Sequence, residues 1–83
     1  MFFGIVIKMY YREHNPPHFH AEYQGFRAVF SIKSGEMTEG RRFPDRAKKI
    51  IKEWALEHQK ELLENWSLME QEKSMLKIPG ADQ

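Results

Sequence analysis

The densest group of chemically active side chains lies in residues 14–22, which read HNPPHFHAE. If a β-strand follows the two prolines, His18, His20 and Glu22 share one of its faces, about 6–7 Å apart, because side chains alternate along a strand. His14 could fold over the same row, since the proline pair makes the connection short and stiff. The segment therefore predicts a row of imidazole and carboxylate groups on a rigid element.

Three functions suit this row. Imidazole and carboxylate groups bind divalent metals such as zinc, which makes His18, His20, Glu22 and His14 candidate ligands. His18 and His20 are also candidate catalytic residues, because imidazole exchanges protons near neutral pH. Contact with phosphates or bases is the third function. A purely structural role remains the alternative, in which the histidines donate hydrogen bonds to the backbone or to Glu22. An exposed row predicts that replacing either histidine by alanine costs under about 1 kcal/mol of stability.

A second charged segment precedes and enters the predicted helical half. Its cations are Arg41, Arg42, Arg46, Lys48, Lys49 and Lys52, with Asp45 among them. Arg41, Arg42, Lys48 and Lys49 are the candidate phosphate contacts, which would release counterions on binding nucleic acid. The alternative is the solvated face of an amphipathic helix. Because the whole chain carries only +1, we expect weak, non-specific nucleic-acid binding at most.

Length and composition exclude several other classes of protein. The 83 residues predict one small domain over residues 1–74, followed by a loose C-terminal tail over 75–83. The chain has no cysteine, so disulfides, thiolate metal sites and cysteine nucleophiles are excluded. It also lacks the glycine-rich motifs of phosphate-binding loops. We expect no membrane span, and in the absence of a recognisable export signal we expect a cytoplasmic protein.

The first half of the chain shows the alternation of β-strands. We predict strands over residues 4–11, 18–23 and 26–32, with a short edge strand at 37–38. Gln24-Gly25 is a turn dipeptide that would join the second and third strands as a hairpin. Short connections between successive strands favour an antiparallel meander of three or four strands.

The second half shows helical periodicity over residues 44–72. Pro44 suits a first helical turn, and an apolar stripe recurs every three or four residues. We favour two helices over one, with the break near His58, because a single helix of about 25 residues is long for so small a domain. The sequence thus predicts an α+β fold in which one or two C-terminal helices cover one face of the sheet.

The predicted core combines the apolar strand face with the helical stripe. Its members are Ile5, Ile7, Phe19, Ala21, Phe30, Ile32, Ile50, Ile51, Trp54, Leu62, Leu63 and Trp66. Trp54 and Trp66 are interpreted as core residues, although large aromatic side chains also anchor interfaces. His58 is interpreted as a histidine at a helix end rather than a ligand.

Three stretches of the sequence resemble a known family. Residues 4–11, residues 13–23 with their PPHFH block, and residues 54–66 are similar to the small prokaryotic family called domain of unknown function 4160. The resemblance covers residues 3–68, and the PPHFH block is its most specific part. Family members usually carry several more residues, with a Met-Pro start, before the first strand. The resemblance implies a small cytoplasmic protein, often encoded beside another small protein in an arrangement like toxin–antitoxin pairs. It assigns no catalytic residue.

Two functions follow as hypotheses. The favoured one is a module that binds a small protein partner encoded nearby, with half of a toxin–antitoxin-like pair as one form of it. The alternative is a histidine- or metal-dependent hydrolase that acts on RNA through the His18, His20 and Glu22 face. The favoured function requires no cofactor, whereas the alternative would use a divalent metal such as zinc.

Overall fold

The computed structural model describes residues 2–81 and has the predicted α+β fold. Its elements are the strands β1 (Ile5–Lys8), β2 (His18–Tyr23), β3 (Phe26–Ser31) and β4 (Met37–Gly40) and the helices α1 (Asp45–Glu57) and α2 (Gln59–Glu70). The strands lie in the order β1-β2-β3-β4, and each neighbouring pair is antiparallel. This sheet is the four-stranded form of the predicted meander. None of the helices within residues 2–81 is long and apolar enough to cross a membrane.

The hairpin of β2 and β3 sets the faces of the sheet. Gln24 and Gly25 both have positive φ, 47° and 83°, as the tight turns that match strand twist require. The resulting register places Phe19 opposite Phe30 and His20 opposite Val29. Phe19 and Phe30 are fully buried, and their rings stack with centroids 5.6 Å apart. The predicted alternation, with apolar residues inward and histidines on the other face, is confirmed.

The two helices bury one stripe that continues in phase across His58. α1 ends at Glu57 and α2 begins at Gln59, with His58 at both helix ends, so the prediction of two helices is confirmed. The buried residues of α2 are Leu62, Asn65, Trp66 and Met69. The prediction of Leu63 as a core residue is wrong: it is 37% exposed, because it points about 100° away from the buried Leu62 on the same helix. Ile50 lies half-buried at the margin of the core.

The first strand is shorter than predicted. Its pairing ends where Lys8 faces His20, and the chain then leaves the sheet. Met9 is still buried, but Tyr10 and Tyr11 are each 44% exposed. The nine residues 9–17, which we call the ligand loop, therefore connect β1 to β2 outside the sheet.

The C-terminal segment is packed rather than loose over the part that the structure describes. Ile78 is only 1% exposed, and the indole N–H of Trp54 donates to the carbonyl of Pro79 at 2.9 Å. The buried Asn65 amide donates to the carbonyl of Leu76 and accepts from its N–H, at 2.8 and 2.7 Å. A buried amide and a buried indole both need polar partners, and this segment supplies them. Residues 82–83 of the predicted tail lie outside the described residues.

Candidate metal centre

Two imidazoles and a carboxylate converge at the start of β2. His18 and His20 project from the sheet face opposite Phe19, and the ligand loop brings Glu13 to them. One carboxylate oxygen, Glu13 Oε1, lies 2.7 Å from His20 Nε2 and 3.3 Å from His18 Nε2. The ligand atoms of all three residues lie within 4.8 Å of one another. We call this group the Glu13 cluster.

The cluster is half-buried, which leaves it reachable from solvent. The side chains of Glu13, His18 and His20 are 26%, 17% and 28% exposed. Tyr10 packs edge-on against His20 with centroids 4.8 Å apart, and Trp66 packs against His18 at 5.1 Å. Each imidazole thus packs against an aromatic ring as well as facing Glu13.

The hydrogen bonds of His18 determine which of its ring nitrogens can bind a ligand. His18 Nδ1 lies 2.9 Å from the carbonyl oxygen of Pro16. A carbonyl only accepts, so Nδ1 must donate its proton there. In a neutral ring Nε2 then presents a lone pair, and this atom faces the Glu13 oxygen, which is another acceptor. Two acceptor atoms that face each other repel, unless a second proton on the ring or a cation lies between them.

One of the two distances in the cluster suits a small divalent cation as it stands. Tetrahedral zinc binds histidine nitrogen and carboxylate oxygen at about 2.0–2.2 Å, which places neighbouring ligand atoms about 3.3–3.5 Å apart. The separation of 3.3 Å between His18 Nε2 and Glu13 Oε1 already lies in that range. The 2.7 Å between His20 Nε2 and Glu13 Oε1 is a hydrogen bond, which a bound cation would replace, lengthening the separation by about 0.6–0.8 Å. Three protein ligands leave the fourth position open, as in catalytic zinc sites.

The structure assembles part of the predicted ligand set and adds one residue to it. His18 and His20 come together, whereas Glu22 and His14 are outside the Glu13 cluster. Glu22 lies two residues further along the strand, where its carboxylate faces Arg27 at 3.9 Å. His14 is exposed on the ligand loop. Glu13 takes the place predicted for Glu22, because the loop folds back over the start of β2.

No periodicity in the sequence indicates Glu13 as a ligand. It precedes His20 by seven residues and lies in a loop, so its position depends on the path of the chain through the proline pair. The Asn15–Pro16 peptide bond along that path is cis. A sequence signal was present only in composition, since Glu13 immediately precedes the histidine- and proline-rich segment.

A groove on the open face of the sheet begins at the Glu13 cluster. It has a volume of about 370 Å³. Its polar and aromatic lining comes from Tyr10, His20, Glu22, Arg27 and Glu39. The Arg27 side chain is 81% exposed and lies diagonally across the β2–β3 pair from His20. A ligand in the groove would thus contact both a cluster histidine and a cation.

One of the four predicted nucleic-acid residues is neutralised by a neighbouring carboxylate. Lys48 forms an ion pair with Asp45 at 3.0 Å, and Lys49 is exposed on the same helix. Arg41 and Arg42 are exposed in the connection from β4 to α1. Lys48 and Lys49 also line a cavity of about 300 Å³, which Glu36 shares, so this part of the positive surface is shaped.

His58 has the structural role that the sequence indicates. It ends α1 and begins α2. Its Nδ1 lies 2.7 Å from the carboxylate of Glu61, and its ring packs against Trp54 with centroids 5.3 Å apart. The contacts of this imidazole are thus with the two helices that it joins.

Comparison with known proteins agrees with the resemblance seen in the sequence. Residues 4–67 match the family described as a domain of unknown function, DUF4160. The match spans all four strands, both histidines of the Glu13 cluster and the chain through Trp66. Neither the curated proteins nor the solved structures include a match to this chain. The chain therefore belongs to the DUF4160 family.

Proposed function

We propose that this protein binds a divalent transition metal, zinc in the first instance, through Glu13, His18 and His20. The observation that carries the proposal is the facing of His18 Nε2 and Glu13 Oε1 across 3.3 Å, with Nδ1 of the same ring committed to a carbonyl. An imidazole that donates one N–H to a backbone carbonyl and offers its other nitrogen is the usual arrangement of a metal-ligating histidine. The half-buried position keeps an open coordination site beside the groove.

We further propose that the bound metal serves the hydrolysis of RNA. A zinc ion with an open position lowers the pKa of its bound water and supplies hydroxide near neutral pH. The groove adds Arg27, which suits a phosphate, and the half-exposed ring of Tyr10, which suits a stacked base. Single-stranded RNA is the favoured form, because its bases are free to leave the stack and enter a groove of this size.

Metal binding is tested by a matched pair of glutamate variants. Metal-free protein is titrated with zinc against a chromophoric chelator, and the bound metal is counted by mass spectrometry of the native protein. We expect one zinc per chain, and affinity reduced at least about 100-fold in Glu13→Gln, which removes a direct ligand and not merely one of its supports. Glu22→Gln, on the same face but outside the cluster, should bind like the wild type. Absence of stoichiometric zinc, or equal affinities of the two variants, would refute the proposed site.

The hydrolytic step needs its own measurement. Fluorescently labelled single-stranded RNA is incubated with zinc-loaded wild type, with Glu13→Gln and with Arg27→Ala. We expect cleavage by the wild type, loss of cleavage in Glu13→Gln, and weaker substrate binding in Arg27→Ala with zinc affinity unchanged. Zinc binding without any cleavage would leave the metal site standing and reject RNA hydrolysis as its purpose.

The open edge of the sheet favours partner binding as a second candidate function. Within residues 2–81, β4 pairs only with β3, so its outer backbone groups can pair with a strand of another protein. We propose a small protein encoded nearby as that partner. The test is one-to-one co-purification followed by amide hydrogen exchange of the complex. Protection confined to residues 37–40 would support pairing at this edge, and unchanged exchange there would reject it.

A further inference from the structure

The ligand loop is fastened to α2 next to the Glu13 cluster. The indole N–H of Trp66 donates to Asn15 Oδ1 at 3.1 Å. Asn15 directly precedes Pro16, the residue whose carbonyl accepts from His18 Nδ1 at 2.9 Å. A hydrogen bond from the helix thus lies one residue away from the carbonyl that determines which nitrogen of His18 faces Glu13.

Trp66 also contacts His18 directly. The two ring centroids are 5.1 Å apart, with the planes tilted by 55°. Trp66 itself is only 4% exposed and belongs to the hydrophobic core, so its position is set by tight packing. One core side chain therefore supports the ligand from two sides, through ring contact and through Asn15.

Further bonds hold the same loop to the end of α2 and the residues after it. Tyr11 donates its hydroxyl to the carbonyl of Lys73 at 2.8 Å, and the Arg12 guanidinium pairs with Glu72 at 3.1 Å. These groups are exposed, so each contributes little alone. Together with the hydrogen bond from the buried Trp66 to Asn15, they orient the loop that carries Glu13.

We infer that Trp66 and Asn15 are positioning residues for the metal centre, acting on His18 through the Pro16 carbonyl. This inference rests on the proposed function, since a positioning role exists only if the Glu13 cluster binds metal. The physical basis is that groups behind a ligand fix its tautomer and ring direction before the metal arrives. Without them, part of the binding free energy would be spent on ordering the loop and the imidazole.

The test uses two tryptophan variants that remove the same chemical group. Trp66→Phe deletes the indole N–H near the cluster and keeps an aromatic ring in the core. Trp54→Phe deletes the indole N–H that bonds Pro79 and serves as the matched control. Zinc affinity is measured by chelator competition, and cobalt is substituted to report ligand geometry by its visible absorption. Asn15→Ala, at an exposed loop position, tests the same bond from its other end.

We expect zinc affinity about 10- to 100-fold weaker in Trp66→Phe and in Asn15→Ala, the range seen when groups behind metal ligands are removed. Their cobalt spectra should also change, whereas Trp54→Phe should match the wild type in both measurements. If the wild type binds zinc, and Trp66→Phe and Asn15→Ala bind it as tightly as the wild type does, Trp66 and Asn15 are merely structural and the inference is wrong. This holds even if the two variants melt at lower temperatures. If the wild type binds no zinc, the proposed function fails instead.

Discussion

Replacing His18 by alanine tests whether the imidazole contributes to the fold before any metal is bound. The side chain is 17% exposed. Besides its approaches to Glu13 and His20, its loss removes two contacts that set the expected magnitude. One is the hydrogen bond from Nδ1 to the Pro16 carbonyl at 2.9 Å. The other is the packing of the ring on Trp66 at 5.1 Å.

The two contacts set the expected magnitude. A hydrogen bond of this kind contributes about 0.5–1.5 kcal/mol net, and an aromatic pair contributes about 0.5–1.5 kcal/mol beyond its buried area. His18→Ala should therefore lower the free energy of unfolding by about 1–3 kcal/mol. This exceeds the limit of about 1 kcal/mol expected for a fully exposed histidine row. Since small domains unfold with about 5 kcal/mol or more, the variant should remain folded.

The assay is urea unfolding followed by far-ultraviolet circular dichroism, with chelator present so that metal binding cannot contribute. His14→Ala is the matched control, because His14 is an exposed histidine on the same loop and should change stability by at most about 0.5 kcal/mol. Surface substitutions ordinarily change stability by up to about 0.5 kcal/mol. If the free energies of unfolding of His18→Ala and His14→Ala differ by less than this, the contacts to Pro16 and Trp66 do not stabilise the fold as reasoned.

Two further predictions concern the C-terminal segment and the basic surface. Ile78→Ala should destabilise the protein by about 2–4 kcal/mol, because it removes a buried aliphatic group. Lys77→Ala, at the exposed neighbouring position, is the control and should leave stability unchanged. Equal urea midpoints for the two variants would show that the segment does not pack in solution. Binding of single-stranded RNA to the surface around Arg41 and Arg42 should weaken steeply between low and physiological salt, as counterion release requires. Sub-micromolar binding that resists salt, measured by fluorescence anisotropy, would show a shaped nucleic-acid site instead.

Local rules were sufficient to predict the sheet. The alternation of β2 around Phe19, the turn at Gln24-Gly25 and the breaks between strands together specify a meander, because a slip of one residue would expose the apolar face. The same period places His18 and His20 on the opposite face. These features depend on near neighbours in the chain, and for this reason the sequence predicts them.

Features that depend on contacts between distant residues were not predictable in the same way. Glu13 reaches the histidines from a loop that is bonded to α2, at a residue 51 positions later in the chain than Asn15. Ile78 fills a place in the core that no periodic pattern marks, since it follows the last helix. In each case tertiary packing overrides the local pattern.

The proposed metal site would couple metal binding to the least regular part of the fold. Its ligands come from two elements, the ligand loop and β2, so a bound metal would tie Glu13 to the sheet. A ligand that binds only the folded state stabilises it by RT ln(1 + [L]/Kd), which is about 2.7 kcal/mol at a free concentration 100 times Kd. Against a total stability of about 5–15 kcal/mol, that increment is large for a domain of 83 residues. Trp66 of α2 holds the same loop, so a bound metal and α2 would each stabilise the other's contacts with it. The cluster would then serve the chemistry of the groove and also the order of the loop that lines it.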